Sequence, residues 1–176
     1  MIRVLATCVC LAGCASSLNE APAPPMPASA KAGQELMDKV PACLEHHAYD
    51  QAPATGNIPQ LISICAPNFP MVLQRNGYQS ACLSDFNVSP YGSPKNIRAV
   101  CQTVSDGDSP ADEMDIADAM FVRLMERAMS EMEFGAPPDG SEIDGTRRFL
   151  QRLKFAFKGE EEHLFYPPES KLEDVE

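Results

Sequence analysis

QSACLSDFNVSPYGSPKNIRAVCQTV, residues 79–104, reads as two strands folded back across a Pro-Tyr-Gly-Ser turn. With the turn on residues 90–93, facing residues have numbers that add to one constant, so Ser89 faces Pro94, Phe86 faces Ile97 and Cys82 faces Cys101. Alternation agrees with this register. Cys82, Ser84, Phe86 and Val88 share one face of the first strand, and Ile97, Ala99, Cys101 and Thr103 share the matching face of the second. A loop one residue longer or shorter would break the match.

Downstream of the hairpin, Ser109-Pro110-Ala111-Asp112 has the chemistry of a helix start, with Ser109 as cap and Pro110 in the first turn. The helix is expected to run to about residue 133, with Ile116, Met120, Phe121, Leu124 and Ala128 as its apolar stripe. The methionines 114, 120, 125, 129 and 132 read as adaptable core filler. Residues 135–145, GAPPDGSEIDG, are turn chemistry, and a strand is expected from about 146 to 158. Phe149, Leu153, Phe155 and Phe157 share one face of it, while Arg148, Leu150, Arg152, Lys154 and Lys158 make the other face mostly basic. That basic face reads as the solvated side of a one-sided sheet, and it also guards an edge strand against unwanted pairing.

At the start of the chain, MIRVLATCVCLAGC has one charge at Arg3, a short apolar run, and then Leu11-Ala12-Gly13-Cys14. The tetrapeptide resembles the lipobox of bacterial lipoproteins. The resemblance implies cleavage before Cys14 and lipidation of Cys14, so residues 1–13 are expected as a signal peptide and the remainder as a membrane-anchored protein. The run is too short for a permanent membrane span, which needs about 20 apolar residues. Ala15 stands where an aspartate favours inner-membrane retention in enteric bacteria. An outer-membrane anchor facing the periplasm is therefore expected.

Of the seven cysteines, Cys8 and Cys10 leave with the signal peptide and Cys14 takes lipid. Cys43, Cys65, Cys82 and Cys101 then enter an oxidising compartment, where four cysteines allow three pairings. The hairpin register favours Cys82–Cys101, which leaves Cys43–Cys65. No CxxC spacing occurs, and no metal or cofactor is expected.

Residues 14–32 are small, polar and proline-rich and read as a tether. Residues 33–66 are expected as an amino-terminal helical extension, with a short helix over about 41–48 and a loop over 50–59. On such a helix His46 and His47 point about 100° apart and read as solvated. A second short helix is expected after Pro67-Asn68-Phe69-Pro70, capped by Asn68 and ended by Asn76-Gly77. Residues 159–176 are acidic and proline-containing and are expected as a disordered tail. Leu164, Phe165 and Tyr166 are the exception, placed to fold back over the basic stripe or the strand edge.

Pro67-Asn68-Phe69-Pro70, Leu73-Gln74-Arg75-Asn76-Gly77 and Phe86-Asn87-Val88-Ser89-Pro90-Tyr91-Gly92, followed by a second strand, a helix and an aromatic strand, resemble the carboxy-terminal domain of TonB-type energy transducers. The resemblance covers 67–158. Phe69 stands where the family usually has tyrosine, Ser80 where it has a second glycine, and a lipid where the transducers have a membrane helix. It implies an α+β fold in which a small three-stranded antiparallel sheet packs against two helices. It also implies that the last strand receives an extended peptide, such as the TonB box of an outer-membrane transporter, by strand addition. The receptive residues would be Arg148, Phe149, Leu150, Gln151, Arg152, Leu153, Lys154 and Phe155. A strand-exchanged homodimer is compatible with the resemblance.

The net charge of −11 argues against nucleic acid as a partner. The chain has no GxSxG, no phosphate-cradling glycine loop and no HExxH, so catalysis is not expected and no catalytic residue is assigned. Two functions follow from these readings: a lipid-anchored module that binds an envelope or outer-membrane protein, or a structural envelope lipoprotein that spaces or stabilises an assembly.

Overall fold

The computed structural model describes residues 22–48 and 58–175. The segments expected as signal peptide, lipobox with Cys14 and start of the tether, and most of the 50–59 segment expected as a loop, lie outside the described residues. The elements run α1 (Ala30–Met37), β1 (Cys43–Ala48), β2 (Gln60–Pro67), α2 (Met71–Arg75), β3 (Tyr78–Val88), β4 (Pro94–Ser105), α3 (Ala111–Ser130), β5 (Glu133–Gly135) and β6 (Arg148–Phe155). Two short 3-10 turns follow, at Glu161–His163 and Glu169–Leu172. The fold is α+β, with two antiparallel three-stranded sheets in the orders β4-β3-β6 and β1-β2-β5.

The hairpin β3–β4 brings Cys82 opposite Cys101, and the two are joined in a disulfide. The expected register fails nearer the turn, where Val88 pairs with Pro94 and Asn87 with Lys95. The turn is a three-residue loop, with Ser89 and Ser93 closing it by the Ser89 N–H donating to the Ser93 carbonyl at 2.8 Å. Gly92 takes the left-handed conformation that this loop needs, at φ 82°. Asn96, at φ 52°, then inserts a bulge between the Asp85 and Asn87 pairs. The bulge adds back on β4 the residue that the turn lacks. The two one-residue departures cancel, and the cysteines meet.

β3 is the middle strand and is buried along almost its whole length, on both faces. Its even-numbered residues, Tyr78, Cys82, Phe86 and Val88, face the main core with Ile116, Met120, Phe121 and Leu124 of α3. Ala81 and Leu83 are fully buried yet lie outside that core. They belong to the opposite face, where the second 3-10 turn packs across β3 and β4 and buries Leu172. The carboxy-terminal segment is thus folded, contrary to the expected disorder. An apolar sheet face needs a cover, and Leu164 and Leu172 supply apolar anchors within an otherwise acidic stretch.

The amino-terminal extension also departs from expectation. Residues 43–48 form a strand, not a helix, and pair with β2, to which the Cys43–Cys65 disulfide ties them. The helix lies earlier, in α1, where the Ser29 hydroxyl accepts from the Ala32 N–H at 3.3 Å. α1 packs on α3, with Gly33 against Met120 and the Arg127 guanidinium donating to the Met37 and Val40 carbonyls at the α1 carboxy terminus. The described part of the tether also meets the domain, because the Asn76 amide donates to the Pro24 carbonyl at 2.8 Å. Two expected caps are absent. Pro70 and Pro110 occupy the cap positions of α2 and α3, while Asn68 N–H pairs with the Ala42 carbonyl and the Ser109 hydroxyl pairs with that of Ser105.

Candidate strand-addition edge

β6 pairs with β3 over eight residues, from Arg148 opposite Asn87 to Phe155 opposite Ser80. Among the described residues its other edge has no strand partner, and no backbone hydrogen bond joins it to another segment. The strand is held from the core side by aromatic clusters at both ends. Phe155 meets Phe121 at 5.1 Å and Phe69 at 5.9 Å, and Phe149 meets Phe134 at 5.6 Å and Phe86 at 5.9 Å between ring centroids. Leu153, opposite Cys82, fills the space between them. Gln151, on the same side, donates to the Arg152 carbonyl at 3.2 Å.

The opposite side of β6 carries Arg148, Leu150, Arg152 and Lys154, and it is not a freely solvated stripe. Arg148 pairs with Asp85, a carboxylate only 3% exposed, which also accepts from Arg98 Nη2 at 2.7 Å and Nε at 3.0 Å. Asp85 thus links all three strands of the sheet from its centre, and the two guanidiniums compensate its buried charge. Arg152 donates to Glu169 at 2.7 Å, and Lys154 donates to the Glu161 carbonyl at 2.6 Å with its ammonium 5.3 Å from the Tyr166 ring centroid. The acidic tail therefore sits on the basic face, with Leu164 buried and Phe165 pointing to solvent. Leu150 remains 39% exposed between the two arginines. Beside it lies a cleft of about 250 Å³ between β6 and the tail, whose lining includes Arg148, Phe149, Leu150, Glu169, Leu172 and Glu173. An added strand would offer every second side chain toward this cleft.

Two groups with shifted titration lie elsewhere. The Asp118 carboxyl on α3 is raised above the usual carboxylate range by burial, which outweighs the hydrogen bond that the Thr103 hydroxyl donates to it at 2.7 Å. The Tyr78 hydroxyl is likewise raised by burial and donates to Glu113 at 3.0 Å. Neither touches the β6 edge; between α3 and the sheet Tyr78 is buried and Asp118 half-buried.

The structure brings together one set of side chains that sequence reasoning left apart. Ligating atoms of Cys43, His46 and Glu131 lie within 4.8 Å of one another. Read as a helix, residues 41–48 gave no reason to join His46 with a cysteine. Read as a strand with an irregularity, they do: the register shift between Cys43 and Glu45 lets Cys43 and His46 share a side, with Cys65 opposite His46.

No described helix is long and apolar enough to cross a membrane. No family model, no curated protein and no solved structure matches this chain.

Proposed function

We propose that this chain is a lipid-anchored, periplasm-facing interaction module, similar to the TonB carboxy-terminal domain, that takes an extended segment of an envelope or outer-membrane protein as an added strand on β6. The observation that carries the reading is the edge of β6, unpaired among the described residues, on a strand otherwise fixed at both ends by aromatic contacts. The chain order α2–β3–β4–α3–β5–β6, with the last strand at an edge of the β4-β3-β6 sheet, supports the resemblance on which the proposal rests, the short β5 being an addition to it. Backbone hydrogen bonds along Arg148–Phe155 would supply affinity, and the cleft beside Leu150, which sets Phe149, Leu150 and Leu172 among the charged Arg148, Glu169 and Glu173, would select among the partner's side chains. A TonB-dependent transporter is the partner class that the resemblance names.

A Cys14→Ser chain, freed of lipid, tests both halves of the proposal. It is expected to leave the membrane fraction and to capture an outer-membrane transporter in a manner blocked by a TonB-box peptide. Retention in the membrane contradicts the anchor, and peptide-insensitive capture contradicts strand addition. The tail favours a second reading, the structural lipoprotein, because it already occupies Arg152 and Lys154. On that reading the Cys14→Ser chain captures no transporter and self-associates.

A further inference from the structure

We propose that reduction of the Cys43–Cys65 disulfide creates a zinc site whose four ligands are the two thiolates, His46 Nε2 and a Glu131 carboxylate oxygen. The inference is independent of the peptide-binding edge.

The donors come from three elements that the fold holds in place. Cys43 and His46 lie on β1, Cys65 lies on β2 directly opposite His46, and Glu131 caps the carboxy terminus of α3. His46 Nε2 is 3.3 Å from Glu131 Oε2, and Cys43 Sγ is 3.2 Å from the same oxygen; Cys65 Sγ lies outside this three-residue cluster and joins it by rotation of its side chain once the bond to Cys43 is open. Tetrahedral zinc with nitrogen, oxygen and sulfur ligands spaces neighbouring donor atoms about 3.3–3.8 Å apart, so the His46–Glu131 separation already suits the metal and the Cys43–Glu131 separation has only to widen by a few tenths of an ångström. A half-cystine carries no proton, and the contact of the Glu131 oxygen with the Cys43 sulfur is therefore not a hydrogen bond. In the oxidised protein that contact places a carboxylate against a neutral sulfur. In the reduced protein it places two anionic donors around a space that a divalent cation fills. Two thiolates, an imidazole and a carboxylate are a donor set that zinc accepts.

The chemistry balances with a dithiol as reductant. It delivers two electrons and two protons to the Cys43–Cys65 bond and is itself closed to a disulfide, leaving two protein thiols. Zinc binding then displaces the two thiol protons to solvent. The oxidised protein offers only His46 and Glu131, so the bond acts as a gate on the site.

The full chain, reduced with a water-soluble phosphine and titrated with cobalt(II) as a spectroscopic stand-in for zinc, tests the proposal. The expected result is one cobalt bound with thiolate charge-transfer bands and tetrahedral visible bands, displaced by zinc. His46→Ala and Glu131→Ala each keep every cysteine and are expected to weaken binding by about tenfold or more, as loss of a supporting group at a metal site already does. Absence of these bands in the reduced chain overturns the proposal. Equal affinity in both variants also overturns it, because thiols elsewhere in the chain would then account for the binding. Equal affinity in the oxidised chain removes the gate. Cys43→Ser/Cys65→Ser is a further control, and because His46→Ala and Glu131→Ala leave the disulfide framework intact, the test stands even where that double variant fails to fold.

Discussion

The two sheets of this protein have the same number of strands and one disulfide each, yet they are stabilised differently. In the β4-β3-β6 sheet the middle strand is covered on both faces, by α3 on one side and by the carboxy-terminal turns on the other. In the β1-β2-β5 sheet the outer strand β1 is exposed along most of its length, Leu44 is 71% exposed, and β5 has only three residues. Burial sets the register of the first sheet, and its disulfide reinforces a choice already made. The second has little apolar burial to choose a register, so its disulfide carries more of the pairing. Fold and candidate chemistry divide accordingly: the deeply packed sheet presents an edge, and the shallow one presents a cluster of donors near a bond that can open.

The largest contrast should come from side chains on the two outer surfaces. Leu83→Ala, beneath the tail, is expected to cost about 3 kcal/mol of stability, because it opens a cavity in a closed site. Leu44→Ala should stay within about 0.5 kcal/mol. Denaturant melts of both variants measure the difference, and a small loss at Leu83 would mean that the tail is no real cover.

The disulfides sharpen the same comparison. Loop closure over sequence separations of 19 and 22 residues predicts that removing either bond by paired Cys→Ala changes costs about 3 kcal/mol. Native-state hydrogen exchange should tell the two apart. Loss of Cys43–Cys65 is expected to deprotect β1 amides while those of β3 remain slow, whereas loss of Cys82–Cys101 should lower protection globally and leave β3 still paired with β4.

A smaller effect is expected where the sheets touch. The Phe134 N–H on β5 donates to the Gly92 carbonyl in the hairpin turn at 2.9 Å, and a Cβ on Gly92 would come 1.9 Å from the Phe134 oxygen. With φ at 82° as well, Gly92→Ala should cost more than about 1 kcal/mol and release β5 first. An unchanged melt would show that the two sheets do not depend on this contact.

The smallest expected effect is electrostatic. Asp118 has a raised folded-state pKa, so the stability it contributes is fully present below the unfolded value near 3.8 and is lost as pH rises through the folded value. Asp118→Asn keeps an acceptor for Thr103 and removes that loss. Its melting temperature should exceed that of the parent at pH 7, and the gap should close toward pH 3.

The deeply packed sheet was the more legible one, for local reasons. Alternation and the turn residues of 79–104 fix which side chains face α3, and the facing of Cys82 and Cys101 survives because the short turn and the Asn96 bulge offset each other. The same local signals mislead in the other sheet. Val40, Cys43, Leu44 and Ala48 mimic helical spacing, but β1 is decided by a partner strand and a bond to Cys65, both distant in sequence. The tail was hidden for a related reason: its charge and prolines suggest disorder, and only Leu164 and Leu172 reveal a need for cover. Their burial depends on a sheet face built about eighty residues earlier. The edge of β6 was visible as an alternating strand, and the apolar Leu164, Phe165 and Tyr166 pointed to a fold-back that Leu164 and Tyr166 make, whereas the occupation of its basic face by Glu161 and Glu169 required the folded tail.

The central claim, strand addition at β6, is tested most directly by amide hydrogen exchange of the Cys14→Ser chain with and without a TonB-box peptide. Outward amides of residues 148–155 are predicted to slow on adding the peptide, with β1 amides unchanged. A peptide that binds without slowing them, or that slows β1 in their place, contradicts the account.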